Sequence, residues 1–274
     1  MTFQRKDLER LADIVSIAAD QEIIPRFRKL GEGAIREKTS ALDLVTDADE
    51  AAEAAIKLAV AKAFPKAAFI GEESVEKDRS LLEKIVDAEL AIIVDPVDGT
   101  SNFAWGLPLF GVLAAVTSRG ETIGGIIYDP LGRDCTFALK GHGAWAKSES
   151  GATRDLRVSK TTSLNQMTGT ASWHMMPEPL RSRVAANLAK VKAAFTYRCA
   201  AYEYRLLVEG LVDFSLHYKL MPWDHAAGVL IHAEAGGYAA LYDGTPYLPS
   251  KFTGGLMCAP TKESWQILRA ALVG

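Results

Sequence analysis

Carboxylates cluster in three short stretches of this chain. Gly71-Glu72-Glu73-Ser74 directly follows Ala68-Phe69-Ile70, and Asp95-Pro96-Val97-Asp98-Gly99-Thr100-Ser101-Asn102-Phe103 directly follows the apolar run ending at Val94. Trp223-Asp224-His225 stands just ahead of a helical pattern. Side chains that leave a buried run at its end can converge on a cleft, where function concentrates. Pro96 restrains the backbone between two carboxylates three residues apart, so Asp95 and Asp98 can enter one cavity from a single turn. Gly99 lets the backbone come close to a ligand, and a short helix starting at Thr100 or Ser101 would turn its N–H groups toward an anion. A phosphate there meets repulsion, since two like charges about 4 Å apart cost on the order of 4 kcal/mol at an effective dielectric of about 20. Divalent cations between acid and phosphate remove that conflict. An all-oxygen ligand set favours hard ions, Mg²⁺ first and Mn²⁺ or Ca²⁺ as substitutes. Zinc fits less well, because His142, His174, His217, His225 and His232 show no HExxH or comparable spacing. Asp43, Asp47 and Asp49 lack the Gly and the bidentate Glu of an EF-hand loop.

Each stretch alone has a plainer structural reading. An Asp ahead of a helix, as at Asp224, is commonly an N-cap. Glu72-Glu73 would be a solvated pair, and Asp95 to Thr100 a capped turn. Together they point to a site, because the carboxylates end buried runs and no Arg or Lys lies near them in sequence to offset their charge.

Apolar periodicity defines the elements that would position these groups. Leu8, Leu11, Val15 and Ala18 predict an opening amphipathic helix that ends near Pro25. Ala52, Ile56, Ala59, Val60 and Ala63 predict a second from Asp49 to Phe64, stopped by Pro65. A polar loop, Gly31 to Thr46, joins them. Ala68-Phe69-Ile70 and Leu90 to Val94 are buried strands, and Gly111–Thr117, Thr122–Tyr128 and Asp134–Leu139 form an antiparallel meander. Pro179 to Val191 and Tyr202 to Leu211 read as helices, Asp213 to Tyr218 as a strand, and His225 to Ala235 as a helix closed by Gly236-Gly237. Tyr238–Tyr242 and Leu256–Ala259 are further strands, and Thr261 caps a last helix presenting Trp265, Leu268 and Leu272. The mixture predicts layered sheets covered by helices. Ser148 to Thr153 reads as a surface turn and the weakest boundary candidate.

At 274 residues, with 49% hydrophobic and 24% charged residues, the chain has the composition of a globular protein with a substantial core. A net charge of −3 supplies no basic field for a polyphosphate backbone, which argues against nucleic acid as the main ligand. Cys135, Cys199 and Cys258 form no CxxC pair and read as buried thiols of a reducing compartment. Charges interrupt the first twenty residues, and no apolar run approaches the roughly 18 residues of a membrane span. A cytoplasmic protein is the expectation.

Phe69 to Ser74, Asp95 to Phe103, and Trp223-Asp224 with Ala226-Ala227-Gly228 before Glu234-Ala235-Gly236-Gly237 resemble the inositol monophosphatases in order and spacing, over nearly the whole chain. The resemblance implies an α+β fold, the layered α-β-α-β-α sandwich shared with the fructose-1,6-bisphosphatases. It also implies one phosphatase domain over 1–274, with two subregions meeting near 148–153 and the metal site between them, commonly as a lithium-sensitive homodimer. Carried over, Glu72, Asp95 and the Val97 carbonyl are ligands of one Mg²⁺. Asp95, Asp98 and Asp224 hold a second, and Glu72 helps hold a third through water. Gly99 and Thr100 match the amides that hold the phosphate. Thr100 and Asp49 match the pair that orients and deprotonates water, and Lys38 and Asp43 match a loop that closes over the site.

The departures concern the substrate, a small phosphorylated metabolite. His217 stands where inositol-cleaving members place a Glu against the sugar hydroxyls, and a neutral imidazole accepts one hydrogen bond where a carboxylate accepts two. Its plainer reading is a strand residue facing solvent. Ala200 matches a small pocket-lining residue. Histidinol phosphate, a nucleotide 3′-phosphate and fructose bisphosphate are rival substrates. The last would call for a basic pocket, with Arg198 and Arg205 as candidates. A regulatory protein retaining the phosphatase fold is the alternative from another class.

Overall fold

The computed structural model describes residues 3–40 and 43–274. Leu8, Leu11 and Val15 are buried on one face of α1 (Arg5–Ala18), which runs on through a π turn over Ala19–Ile23 and a 3-10 turn around Pro25. The polar stretch Gly31 to Thr46 is not the loop its composition predicts. It carries an antiparallel pair, β1 (Ile35–Ser40) and β2 (Asp43–Thr46), held by backbone pairing with no apolar alternation to betray it. Next, α2 (Asp47–Ala63) starts two residues before its apolar pattern does, because Thr46 caps it in a capping box with Asp49.

The chain then builds β3 (Ala68–Gly71), α3 (Glu72–Lys77), α4 (Lys84–Asp87), β4 (Ala91–Asp98) and the short α5 (Thr100–Ala104). The meander follows as β5 (Gly111–Ser118), β6 (Glu121–Asp129) and β7 (Asp134–Leu139), extended by β8 (Ala144–Lys147) and β9 (Thr153–Asp155). These make a seven-stranded sheet in the order β3-β4-β5-β6-β7-β8-β9, parallel only between β3 and β4. The turn at 148–152 lies within this sheet, and the passage to the second sheet runs over 156–167.

The second half contributes β10 (Thr168–Ala171), α6 (Leu180–Asn187), β11 (Ala193–Phe195), α7 (Ala200–Val208), β12 (Phe214–His217), α8 (Pro222–Glu234), β13 (Tyr238–Leu241), β14 (Leu256–Ala259) and α9 (Lys262–Leu268). Its five strands order as β11-β10-β12-β14-β13.

Strand alternation sorts the cores into layers. Ile92 and Val94 of β4 pack with α1 and α2, while Ala91 and Ile93 face Tyr204 and Leu207 of α7 and Ala227 and Ile231 of α8. Phe214 and Leu216 of β12 pack with Val184 of α6 and Trp265 and Leu268 of α9. The result is the expected α-β-α-β-α sandwich, with α7 and α8 as its middle layer. That layer is thin for a specific reason: a Cβ on Gly228 would sit 2.2 Å from the Tyr204 ring, and one on Gly125 2.8 Å from the Ala227 carbonyl. Among the described residues no helix is long and apolar enough to cross a membrane.

Candidate metal centre

Residues three apart on a regular strand point to opposite faces, so Asp95 and Asp98 of β4 should not meet. A bulge brings them together. Asp95 pairs with Leu113 and Asp98 with Gly111, so β4 spends one extra residue there and the phase reverses. Pro96, which has no N–H for the ladder, sits in the bulge, and Val97 N donates to Asp95 Oδ1 at 3.0 Å. Asp224 completes the group from α8. It is not an N-cap ahead of the helix: Pro222 opens α8, Met221 occupies the N-cap position without a side-chain hydrogen bond, and Asp224 lies inside the first turn. Carboxylate oxygens of Asp95, Asp98 and Asp224 lie within 4.8 Å of one another.

Glu72 reaches the same region because Gly71 pairs with Val94, so the residue after β3 comes alongside Asp95. It lies outside the Asp95–Asp98–Asp224 group. The compensating cation missing from the local sequence comes from β1: Lys38 Nζ donates to Glu72 Oε1 at 2.9 Å and to Glu73 Oε1 at 2.6 Å. The Asp43 side chain falls outside the described residues.

Burial, then the charges of Glu72, Asp98 and Asp224, pushes Asp95 well above the usual carboxylate range. Burial, then Asp224, raises Asp98 to about 7 against the hydrogen bonds of Cys199 and Ala201. Glu72 rises to about 8, chiefly by burial, with Lys38 opposing. Desolvated acids forced toward protonation by one another are what a bound hard cation relieves, and the donor set is all oxygen. The residues therefore fit a hard metal cation.

Beside them, Thr100 Oγ1 lies 3.1 Å from Asp49 Oδ1 and 2.9 Å from the Val97 carbonyl oxygen. Asp49 Oδ2 accepts from Thr46 N at 2.9 Å and Thr46 Oγ1 at 2.5 Å. Burial lifts Asp49 to about 7 despite these bonds. Gly99 holds φ 84°, and a Cβ there would lie 2.7 Å from the Leu109 carbonyl oxygen, so the turn between β4 and α5 requires glycine.

A cavity of about 730 Å³ opens over Glu72, Asp95, Asp98, Thr100 and Asp224, and Ala200 and His217 line it as well. His217 is 4% exposed, which corrects its reading as a solvent-facing strand residue. Arg198 lines the cavity, but Arg205 does not. Its guanidinium pairs with Asp134 at 2.7 Å and lies 3.8 Å from Asp129, which removes it as a second-phosphate candidate.

Two supporting residues escaped the sequence reading. Glu53, 4% exposed, accepts from Glu73 N at 2.7 Å and from Ser74 N at 2.8 Å and so seats α3. Asp49, Glu53, Ile56 and Val60 share one helical face, and that phase was the available signal. Cys199 Sγ lies 3.0 Å from Asp98 Oδ2, which also accepts from Ala201 N at 2.6 Å. Nothing local marks that contact between residues 101 apart.

A five-layer sandwich with carboxylates gathered at a strand bulge defines a metal-dependent phosphatase class, and comparison makes the assignment specific. The chain belongs to the inositol monophosphatase family, whose model matches residues 7–273. It is 30% identical over 211 residues to the fructose-1,6-bisphosphatase/inositol-1-monophosphatase of Thermotoga maritima, covering 77% of this chain and 76% of that one. It is 32% identical over 231 residues to the Nus factor SuhB of Haemophilus influenzae, covering 82% and 81%. The solved extragenic suppressor protein suhB of Bartonella henselae superposes with a TM-score of 0.81 at 27% identity, over 97% of this chain and 98% of that one. The Thermotoga maritima inositol monophosphatase shares the fold, with a TM-score of 0.79 at 22% identity over 97% and 95%.

Proposed function

We propose that this chain, as one catalytic domain over 1–274 and as a homodimer, hydrolyses a small phosphomonoester, inositol monophosphate or a related sugar or polyol phosphate. The observation that carries this reading is the convergence of Asp95, Asp98 and Asp224 within 4.8 Å under a cavity of about 730 Å³, a volume suited to a small ligand. Glu72, Asp95, the Val97 carbonyl, Asp98 and Asp224 would hold two to three Mg²⁺ ions. Bound there, the metal would supply charge that offsets the phosphate and lowers the pKa of water.

Other groups of the chain complete the chemistry. The Thr100 hydroxyl donates to Asp49 and presents its lone pair to a water, and Asp49 accepts the proton relayed through it. An acid poised near neutral pH suits that role. Gly99 and Thr100 turn their backbone amides toward the phosphate, Asp98 and Ala200 flank the substrate, and Lys38 neutralises Glu72 and Glu73. The test is phosphate release from sugar, inositol and nucleotide monophosphates, with and without Mg²⁺ and with added Li⁺. Mg²⁺-dependent, Li⁺-sensitive release is expected, and no release across the panel overturns the reading.

A second reading rests on the name Nus factor carried by relatives at 32% identity: a partner-binding role alongside catalysis. Capture of the same partner by wild type and by Asp95→Asn supports it, and the absence of any captured partner removes it.

A further inference from the structure

The last two strands of the larger sheet border a second cavity, of about 180 Å³, that shares no lining residue with the one over Asp95. Its strand β8 stands four places from β4 in the sheet, about 19 Å at the usual strand spacing. Arg5 at the start of α1, Arg154 of β9 and Arg157 just beyond β9 line this cavity, and Asp155 is the one carboxylate lining it among the described residues. A chain of net charge −3 has thus gathered three cations from opposite ends of its first half.

Each guanidinium is anchored by one bond and keeps others to give. Arg5 Nε donates to Glu9 Oε1 at 3.1 Å, Arg154 Nη2 to Glu209 Oε1 at 2.6 Å, and Arg157 Nη1 to the Leu156 carbonyl oxygen at 2.7 Å. Neither Glu9 nor Glu209 lines the cavity. Arg157 Nη2 lies 3.9 Å from Asp155 Oδ2, beyond hydrogen-bond distance, and the Asp155 side chain is 82% exposed, where water screens it. Trp145 of β8 supplies an independent sign. It lines the cavity at 5% exposure, stacked on Phe137 at 5.3 Å and 9°, with the Arg5 guanidinium 4.3 Å over its ring. Its indole N–H, which can only donate, has no acceptor among the described residues. A buried donor without an acceptor is costly. One wall is fixed in advance, because Glu234 of α8 accepts from Gly141 N and Gly143 N at 2.8 Å each.

Many donors and scarcely an acceptor call for an anion with several oxygens. We propose that this cavity binds a phosphoryl group, free or carried on a small metabolite, through Arg5, Arg154, Arg157 and the Trp145 indole N–H. Guanidinium groups meet phosphate oxygens through paired N–H bonds, and a dianion answers the excess of cations better than a carboxylate does. The volume falls below the roughly 300–1,000 Å³ of pockets that enclose a drug-sized ligand, so the phosphoryl group enters and the rest of a metabolite stays outside. The site stands apart from the hydrolytic reading and does not depend on it.

The test is calorimetric titration of the full-length protein in EDTA and low salt, where the acids around Asp95 carry no metal and repel anions. Inorganic phosphate, glycerol 3-phosphate and acetate are the probes. Phosphate should bind the wild type at least tenfold more tightly than acetate. Arg157→Gln should weaken it about tenfold, as expected for a lost bond between charged groups. Trp145→Phe, which keeps the ring against Phe137, should weaken it several-fold and repeats the measurement if the Arg157 variant does not fold. Glycerol 3-phosphate binding as tightly as phosphate identifies a metabolite's phosphoryl group, and binding of phosphate alone identifies the free ion; either supports the site. Absence of phosphate binding, equal affinity for acetate, or wild-type affinity in both variants overturns it.

Discussion

Asp95 carries both the proposed chemistry and a cost in stability. Burial and the neighbouring acids Glu72, Asp98, Asp224 and Asp49 hold it above its usual range, so the metal-free fold is strained electrostatically at this residue. Asp95→Asn keeps the acceptor for Val97 N while removing a charge. It should abolish Mg²⁺-dependent phosphate release and raise the metal-free Tm by about 2–4 °C for each kcal/mol of repulsion relieved. Thermal melts with and without Mg²⁺ check this: wild type gains stability on adding the ion and the variant does not. Unchanged turnover in the variant would remove Asp95 from the ligand set. Cys199 acts on the adjacent acid, since its S–H and Ala201 N–H fix Asp98 Oδ2. Cys199→Ala should weaken calorimetric Mg²⁺ binding about tenfold, as expected for one hydrogen bond to a charged group, and Cys199→Ser should restore it. Equal affinities in the two variants would assign the thiol to packing alone.

Elements place these residues through their ends. The bulge turns Asp98 to the side of Asp95, the first turn of α8 delivers Asp224, and the start of α3 delivers Glu72. The last depends on Glu53, whose carboxylate spans the Glu73 and Ser74 amides. A Cβ on Gly71 would come within 2.3 Å of that carboxylate, so α2 and α3 meet only at glycine. Glu53→Ala strands two amide donors and should cost about 3 kcal/mol, read as a lower urea midpoint, with weaker Mg²⁺ binding as Glu72 loses its seat. A midpoint equal to wild type would show that α3 is held by other contacts.

The molecule as a whole buries a histidine that it does not solvate. His232 is fully buried, and both ring nitrogens lack a hydrogen-bond partner among the described residues. Burial pushes its pKa down to about 4. Above the unfolded value of about 6.5 the ring is neutral in both states and contributes no pH dependence. Between there and about 4 the unfolded chain binds a proton that the native state refuses, so stability falls as pH falls, by about 3 kcal/mol in all. Urea midpoints from pH 7 to pH 4.5 should show this acid limb in wild type and a shallower one in His232→Leu, whose side chain needs no partner. Identical slopes would place the acid sensitivity elsewhere.

What the sequence determined by itself was everything written in local pattern. The buried strand leading into Asp95, the helices around Leu11 and Ile56, the meander and the Thr261 cap follow from period and turn chemistry, and the three acidic stretches announced themselves by ending apolar runs. The pair β1–β2 was hidden because its strands bury no alternating face, and α8 began earlier than expected because Pro222 can open a helix. Only the tertiary structure decided what meets what. Lys38 neutralises Glu72 and Glu73, Glu53 seats α3, Cys199 touches Asp98, and His217 turns inward beside Glu203 rather than out to water. Those contacts join residues far apart in the chain. Their energies depend on burial and on distance in space, and neither is encoded in the spacing of residues along a single strand or helix.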